Sequence, residues 1–365
     1  MPADVIFTPF ESSGGTESLN RRVAAIVRGS GFLYSLEPGA RVAIKIHPGE
    51  RNNVTYLRPS IAASLAALAR ESGAAPFVTE TTTLYCRQRF TAGELEATAA
   101  FNGFSAETMG CPFVVADSTA DVPVAVDGKH LREVGVAGEI AAADALLVVT
   151  HVTCHDWTAG LAGTLKQLGM GCVGRRTKAD VHLATSLTID PDLCTSCGTC
   201  AETCKADAVI IEDAGAVLTE RCARCGVCIG FCPAGAIGYS HDYNRFAEAL
   251  AEAAAGVVST FEAGRVLFLN YMLDVTRHCD CEDFSSRPVF EDIGVAISAD
   301  PVAADKACGD LLNAASPAPG SSADEPAIAS AEDKILAMTG IEWWRQLERA
   351  QALGMGTMEY RLTPA

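Results

Sequence analysis

Apolar residues recur along the chain at strand and helix spacings in alternation. Val42-Ala43-Ile44-Lys45-Ile46 is a run of strand length, the stretch from Pro59 to Arg70 repeats its apolar positions at the helical period, and Pro76-Phe77-Val78-Thr79 follows a Gly73 stop. That order is βαβ. Phe113 to Ala116 and Ala145 to Thr150 continue it, and unbroken apolar runs of this kind suit strands covered on both faces of a mostly parallel or mixed sheet. The rhythm stops near residue 184 and resumes near residue 241. Beyond that point Arg245 to Ala255 reads as a helix, Val266 to Asn270 and Ile293 to Ile297 as strands, and Pro301 as the start of a helix ending near Asn313. Neither flank alone supplies a complete set of elements. The pattern therefore predicts one α/β domain built from residues 1–184 and 241–365, interrupted by an α+β insert at 185–240, with independent tandem domains as the alternative. Residues 314–332 read as a Pro/Ser/Ala loop without chemistry.

The insert is where the cysteines concentrate. Of 15 in a chain of 365 residues, eight fall between Cys194 and Cys232. No apolar run reaches the roughly 18 residues of a membrane helix, and Met1-Pro2-Ala3-Asp4 opens without a signal-type flank. A cytoplasmic protein with no membrane partner is expected. Thiols stay reduced in that compartment, so dense cysteine there signals metal or catalysis rather than a disulfide framework. With 28 Lys+Arg against 45 Asp+Glu the net charge is −17, which argues against nucleic acid, whose phosphates need a cationic footprint.

The first cysteine run is Cys194-Thr-Ser-Cys197-Gly-Thr-Cys200-Ala-Glu-Thr-Cys204 and the second is Cys222-Ala-Arg-Cys225-Gly-Val-Cys228-Ile-Gly-Phe-Cys232. Both read C-x2-C-x2-C-x3-C. A cubane [4Fe-4S] cluster needs four thiolates at tetrahedral corners; the tight loop brings three sulfurs round one cluster, and the fourth, a helical turn away, reaches the other. Cluster one is accordingly assigned to Cys194, Cys197, Cys200 and Cys232, and cluster two to Cys222, Cys225, Cys228 and Cys204. Zinc knuckles also use C-x2-C pairs, but the twice-repeated third and fourth cysteines are hard to explain with zinc. Residues 188–240 resemble the bacterial two-cluster ferredoxin module, in which Val209-Ile210-Ile211 and Ala236-Ile237 are expected to pair as short strands. Lys205 stands where the first run of that module usually has proline. Eight thiolates and two doubly positive cores take the formal charge from −17 to about −21, so a soluble electron donor or acceptor should present a basic face.

The stretch from His151 to His182 follows a predicted strand at its carboxyl end, where open α/β sheets place ligands. Gly160, Gly163, Gly169, Gly171 and Gly174 could let a backbone approach a ligand or form an amide nest, or could serve tight helix packing. Between Lys166 and His182, Lys166, Arg175, Arg176 and Lys178 stand against Asp180 alone, so that window carries +3 in an acidic chain. An anionic substrate or cofactor group is the functional reading and a solvated basic loop the plain one. His151, Cys154, His155 and His182 could form a metal site, or be ordinary structural residues. Lys45, His47 and Glu50 also follow a strand and could supply an acid, a base or a carboxylate anchor. Cys279-Asp280-Cys281 offers one ligand plus a supporting group, or a structural turn. Asp305-Lys306 reads as a helix-terminal or interdomain pair, and Trp343-Trp344 as core or subunit interface.

These segments together resemble the iron–sulfur proteins grouped as domain-of-unknown-function family 362. The resemblance rests on His151 to His182, Lys45-Ile-His47-Pro-Gly49-Glu50, Thr79 to Tyr85, Phe101-Asn-Gly103-Phe104, Cys279-Asp280-Cys281, Asp292-Ile-Gly294, and Asp300-Pro301 through Asp305-Lys306, and covers nearly the whole chain. It implies a ferredoxin-like module embedded in an α/β domain, and no particular activity. Gln167 replaces an expected Asn and Thr177 an expected Gly, which argues against assuming an identical ligand. The fold is also similar to the lactate racemase family, an analogy that assigns no activity.

The leading expectation is an oxidoreductase whose two [4Fe-4S] clusters pass single electrons to a small, anionic substrate or cofactor in the α/β domain. Catalytic candidates are Lys45, His47, His151, His155, Lys166, Lys178 and His182, and cofactor-binding candidates are Gly169, Gly171, Arg175, Arg176, Cys279 and Cys281. The alternative is a non-catalytic electron carrier or redox sensor that docks a partner. A third metal or an organic cofactor in the His/Cys pocket is a further expectation. No nucleotide-binding glycine motif is present, so NAD, FAD and ATP are not expected.

Overall fold

The strand Ala145–His151 is apolar along most of its length because it has two faces to cover. In the computed structural model, which describes residues 1–365, Leu146 and Val148 enter one core with Leu165, Leu250, Phe268 and Val302. Its alternate residues Leu147 and Val149 enter a second core with Leu19, Val23, Ile61 and Leu65. Successive side chains of a strand point to opposite sides, so a strand sandwiched between helices must be apolar at every step.

Eight strands form the central sheet, in the order Tyr360–Pro364, Ala3–Pro9, Gly294–Ser298, Val266–Met272, Ala145–His151, Arg41–Lys45, Ala75–Glu80 and Phe113–Val115. Only Gly294–Ser298 opposes the rest, pairing antiparallel with both neighbours. The fold is thus a mixed α/β fold with a large, mostly parallel sheet. It draws strands from both sides of the cysteine-rich segment: Val266–Met272 lies in parallel register beside Ala145–His151. The chain winds outward from Arg41–Lys45 to one edge and from Ala145–His151 towards the other, so the carboxyl ends of these adjacent strands form a topological switch point.

The stretch predicted as a glycine-rich loop is ordered secondary structure. Thr153–His155 and Gly160–Ala162 form a hairpin, and Thr164–Gly171 and Arg175–Val181 are helices. Its glycines are packing positions. A Cβ on Gly169 would lie 2.5 Å from the Leu250 carbonyl oxygen on the helix Tyr243–Val258, and one on Gly171 would lie 2.5 Å from Lys45 Nζ. Neither residue therefore forms an open amide nest. Asp305 and Lys306 do not pair with each other. Asp305 is buried and accepts from the backbone N–H groups of Thr164 and Leu165 (2.6 and 2.9 Å), capping that helix across the core, while Lys306 pairs with Asp310. Trp343 is core, standing before the helix Arg345–Ala352, and the 314–332 segment contains short helical turns at Ser322–Asp324 and Pro326–Ala329.

In the cysteine-rich segment, Thr185–Ile189 enters antiparallel to Ile237–His241, which leaves it. Entry and exit are side by side. The expected pairing of 209–211 with 236–237 does not occur: Val209–Glu212 turns through Asp213-Ala214 into a hairpin with Gly215–Leu218, a more local partner. No helix of the protein is long and apolar enough to cross a membrane.

Candidate functional site

At the switch point the strand Arg41–Lys45 ends in a fully buried lysine. Lys45 Nζ donates to the Ile46 carbonyl oxygen (2.7 Å) and Gln167 Oε1 (3.1 Å) and lies 3.0 Å from Glu80 Oε1, at the end of the strand Ala75–Glu80. Arg89 binds Glu50 Oε1 at 2.9 Å, approaches Glu80 and touches the Tyr85 hydroxyl. Two buried cation–carboxylate pairs thus close the floor of the site, where low dielectric makes each pair costly to break. His47 lies beside them, and Gly49 N–H donates to its Nδ1 (3.1 Å). Burial and the Arg89 charge hold the His47 imidazole well below its ordinary value, so the ring is neutral with Nε2–H as donor.

The turn after strand Val266–Met272 supplies the other wall. Cys279 Sγ accepts from Lys166 Nζ (3.0 Å) and from the backbone N–H of Cys281 (3.3 Å), and shares a proton with Cys281 Sγ (2.8 Å). Burial alone would raise the Cys279 thiol, but the Cys281 thiol and the Lys166 ammonium outweigh it and hold Cys279 well below the usual thiol range. Cys281 shifts well above it because its proton is shared with Cys279 and it is buried. Lys166, despite burial, is raised by the two thiols. His155 Nε2 stands 3.7 Å from Cys281 Sγ, and the ligand atoms of His155, Cys279 and Cys281 all lie within 4.8 Å of one another. Both cysteines of the turn, and not one with a supporting group, face the site.

His151 has a different task. Burial works against its charged form, but Asp280 raises it, and both ring nitrogens donate: Nδ1–H to Asp280 Oδ2 and Nε2–H to the Leu273 carbonyl, each 2.7 Å. It clamps the cysteine turn and has no nitrogen left for a metal or a substrate. Nor do His151, Cys154, His155 and His182 form a ligand set. Cys154 lies in the core with its thiol pushed up to about 12 by burial, and His182 packs edge-on against Phe246, with burial lowering it to about 3. The basic residues of the window are also already engaged. Arg175 donates to the carbonyls of Thr83 (2.9 Å) and Phe90 and stacks over the Phe90 ring, and Lys178 binds Thr81 Oγ1 (2.7 Å) and the Thr82 carbonyl. Both hold the segment 81–90 against the site. Burial lowers Lys178 to about 8, while Arg176 is exposed and pairs with Asp180. Lys166 is half-buried with one protein acceptor, so it retains donors for a ligand.

Glu80, Tyr85, Arg87 and Arg89 are parts of the site that the sequence did not single out as site residues, and Gln167 entered it only as a departure from the family pattern. Glu80 had the same signal as Lys45, a polar residue at the carboxyl end of an apolar strand. Arg87 and Arg89 lie in an unpatterned loop with no such signal.

In the cysteine-rich segment a small pocket is lined by Cys194, Cys197, Cys200 and Cys232 with Ile189, Ile211 and Ile237. Burial, with the neighbouring thiols of Cys225, Cys222, Cys200 and Cys204, pushes the Cys228 thiol up to about 12. The two runs share a backbone form: Ser196 and Arg224 adopt φ of 53° and 56°, and Gly198 and Gly226 adopt 79° and 74° before short helices. Ala216 and Ala236 aim N–H groups at Cys194 and Cys232 (3.4 and 3.3 Å). Only five residues form the segment's buried core, two of them cysteines. So small a core needs a staple. The segment meets the α/β part at Tyr239, whose hydroxyl donates to the Trp157 carbonyl (3.3 Å), at Arg224, which donates to the Leu183 carbonyl (3.4 Å), and at Lys205, which donates to the Arg87 carbonyl (3.3 Å) and pairs with Glu94 (3.0 Å).

Comparison with known proteins places these features in context. A family model described as "Domain of unknown function (DUF362)" matches residues 42–310. No curated protein matches the chain. Among solved structures, the lactate racemase apoprotein from Thermoanaerobacterium thermosaccharolyticum is similar at 12% identity and a TM-score of 0.36, over 71% of this chain and 49% of that one. The chain thus spans about half the length of that protein.

Proposed function

The chain belongs to the DUF362 family, and from that premise we propose that it is an iron–sulfur oxidoreductase. In this reading it passes single electrons through two [4Fe-4S] clusters to a small anionic acceptor held between Lys166, His47 and the 279–281 turn. The donor set supports the clusters: three thiols of the first run and Cys232 of the second line one pocket, backbone N–H groups aim at sulfur, and the core is too small to hold the segment alone. Cys194, Cys197, Cys200 and Cys232 would hold one cluster and Cys222, Cys225, Cys228 and Cys204 the other, supplying one-electron transfer.

One observation carries the coupling between clusters and site. Lys205, the residue after Cys204, binds the Arg87 carbonyl at 3.3 Å, and the Arg87 guanidinium binds the Cys281 carbonyl at 3.0 Å. A single residue of the α/β part therefore separates the second cysteine group from the thiol turn. Cys197, in the first group, is exposed and marks where a carrier with a basic face would dock. At the other end Lys166 would bind the acceptor's negative charge, and neutral His47 would donate a hydrogen bond from Nε2.

The test is reduction of the anaerobically purified protein followed by a panel of small carboxylates, phosphates and oxoanions, with cluster absorbance as readout. Reoxidation accelerated at least tenfold by one of them, and lost in Lys166→Met, is expected. Reversible reduction that no acceptor accelerates, together with salt-sensitive binding to a protein partner, would instead establish an electron carrier.

A further inference from the structure

We propose that His155 Nε2, Cys279 Sγ and Cys281 Sγ bind a single thiophilic divalent metal, of the zinc class, separate from the eight cysteines of the insert. The three ligand atoms lie within 4.8 Å of one another, although the histidine comes from the strand Thr153–His155 and the thiols from a turn more than a hundred residues later. Two thiolates and one imidazole form a borderline-soft set. Three protein ligands leave a fourth position open, which is the pattern of catalytic rather than structural zinc.

The surroundings prepare each ligand. His155 Nδ1 accepts from the Thr158 backbone N–H and also lies beside Thr158 Oγ1, each 3.2 Å away, contacts that turn Nε2 towards Cys281; a metal on Nε2 requires the ring proton to sit on Nδ1, where the hydroxyl would accept it. Cys279 Sγ has Lys166 Nζ at 3.0 Å and the Cys281 N–H at 3.3 Å, contacts that favour the thiolate. The backbone of the turn is held from three sides: Asp280 by His151, its carbonyl by the Glu50 N–H at 3.2 Å, and the Cys281 carbonyl by Arg87. Its two sulfurs stand 2.8 Å apart with a proton between them. A divalent ion replaces that proton, and the sulfurs open to the edge of a tetrahedron with metal–sulfur bonds of about 2.3 Å. No redox step is involved. Lys166, whose Nζ touches Cys279 Sγ, retains free donors, so an oxyanion bound to the metal would find its second contact there.

The inference stands apart from the electron-transfer reading, and the experiment keeps the two separate. Full-length protein is purified anaerobically with its clusters, incubated with zinc, freed of excess and analysed for zinc, iron and sulfide. One zinc per chain is expected beyond the cluster iron, with two sulfurs and one nitrogen around it by zinc-edge X-ray absorption. His155→Ala and Cys281→Ser should each weaken zinc binding at least tenfold without changing iron or sulfide, and Cys222→Ser should lower iron and leave the zinc. Zinc titration of the wild type needs no variant and fails outright if the site does not exist. No zinc above background, zinc retained by both His155→Ala and Cys281→Ser, or a Cys279–Cys281 disulfide in the anaerobic protein would each overturn the proposal.

Discussion

Arg87 reaches from the loop 81–90 to the carbonyl oxygen of Cys281, 3.0 Å away, while its own carbonyl accepts from Lys205. The cysteine turn and the cysteine-rich segment are thus tied to the same residue. The Arg87 side chain is partly buried and also binds Glu282 at 2.8 Å, whereas Lys205 is more exposed. Arg87→Ala should therefore cost about 1–2 kcal/mol, and Lys205→Ala no more than about 0.5 kcal/mol. Hydrogen exchange separates them: the 279–282 amides should exchange faster in Arg87→Ala and at the wild-type rate in Lys205→Ala.

Crossed ligation makes a prediction that counting alone would miss. Cys232 lines the cavity of the first run, although it belongs to the second in sequence. Cys194→Ser and Cys232→Ser should each lower iron from about eight to about four per chain, and the double variant should fall no further. If each run held its own cluster, the double variant would lose nearly all its iron.

The sheet was legible because its signal is redundant: Ala145–His151 and Val266–Met272 are apolar at nearly every position, and two covered faces demand that. Lys45, His47 and the 279–281 turn were legible as polar residues beyond strands. What misled was glycine. Gly169 and Gly171 read as ligand contacts because spacing cannot tell a backbone that approaches a ligand from one that approaches Leu250 or Lys45. His151 misled for a related reason, since its partners Asp280 and Leu273 lie more than a hundred residues away and only folding brings them together.

That packing role can be measured. A Cβ on Gly169 would meet the Leu250 carbonyl oxygen at 2.5 Å and its Cδ1 at 2.8 Å, so Gly169→Ala must push the helix Tyr243–Val258 away. A loss of about 1–3 kcal/mol is expected. Gly29, also helical, has nothing within 4 Å of its Cβ position, so Gly29→Ala should be neutral or gain up to about 1 kcal/mol. Denaturant midpoints of the two variants test the contrast.

His151→Ala leaves Asp280 buried with neither oxygen paired, because Asp280 Oδ1 already lacks a partner. A loss of about 3–5 kcal/mol follows. Asp280→Asn added to His151→Ala should recover part of it, since the stranded charge is then gone. A double-mutant cycle by thermal denaturation measures the coupling, and additive losses would show that the two residues do not act as a pair.

Asp305 gives the fold a pH dependence of definite sign. It caps the helix Thr164–Gly171 from within the core, bonded to Thr164 N–H, Leu165 N–H and Asn270 Nδ2, and burial raises it to about 6 despite those donors. A carboxyl with a raised folded value binds its proton more tightly in the folded chain than in the unfolded one. Its contribution is therefore full below the unfolded value near pH 4 and lost as pH rises through about 6, by roughly 3 kcal/mol. Asp305→Asn cannot titrate. The wild-type stability minus that of the variant should fall between about pH 5 and about pH 7.5, by up to about 2 kcal/mol over that part of the range. Carboxylates with lowered values, such as Glu252, push the profile the other way in both proteins and cancel in the difference. Anaerobic melting of the two proteins at those pH values measures it, and a difference that stays constant or rises would show that Asp305 is ionised throughout, held by its three donors more strongly than burial opposes it.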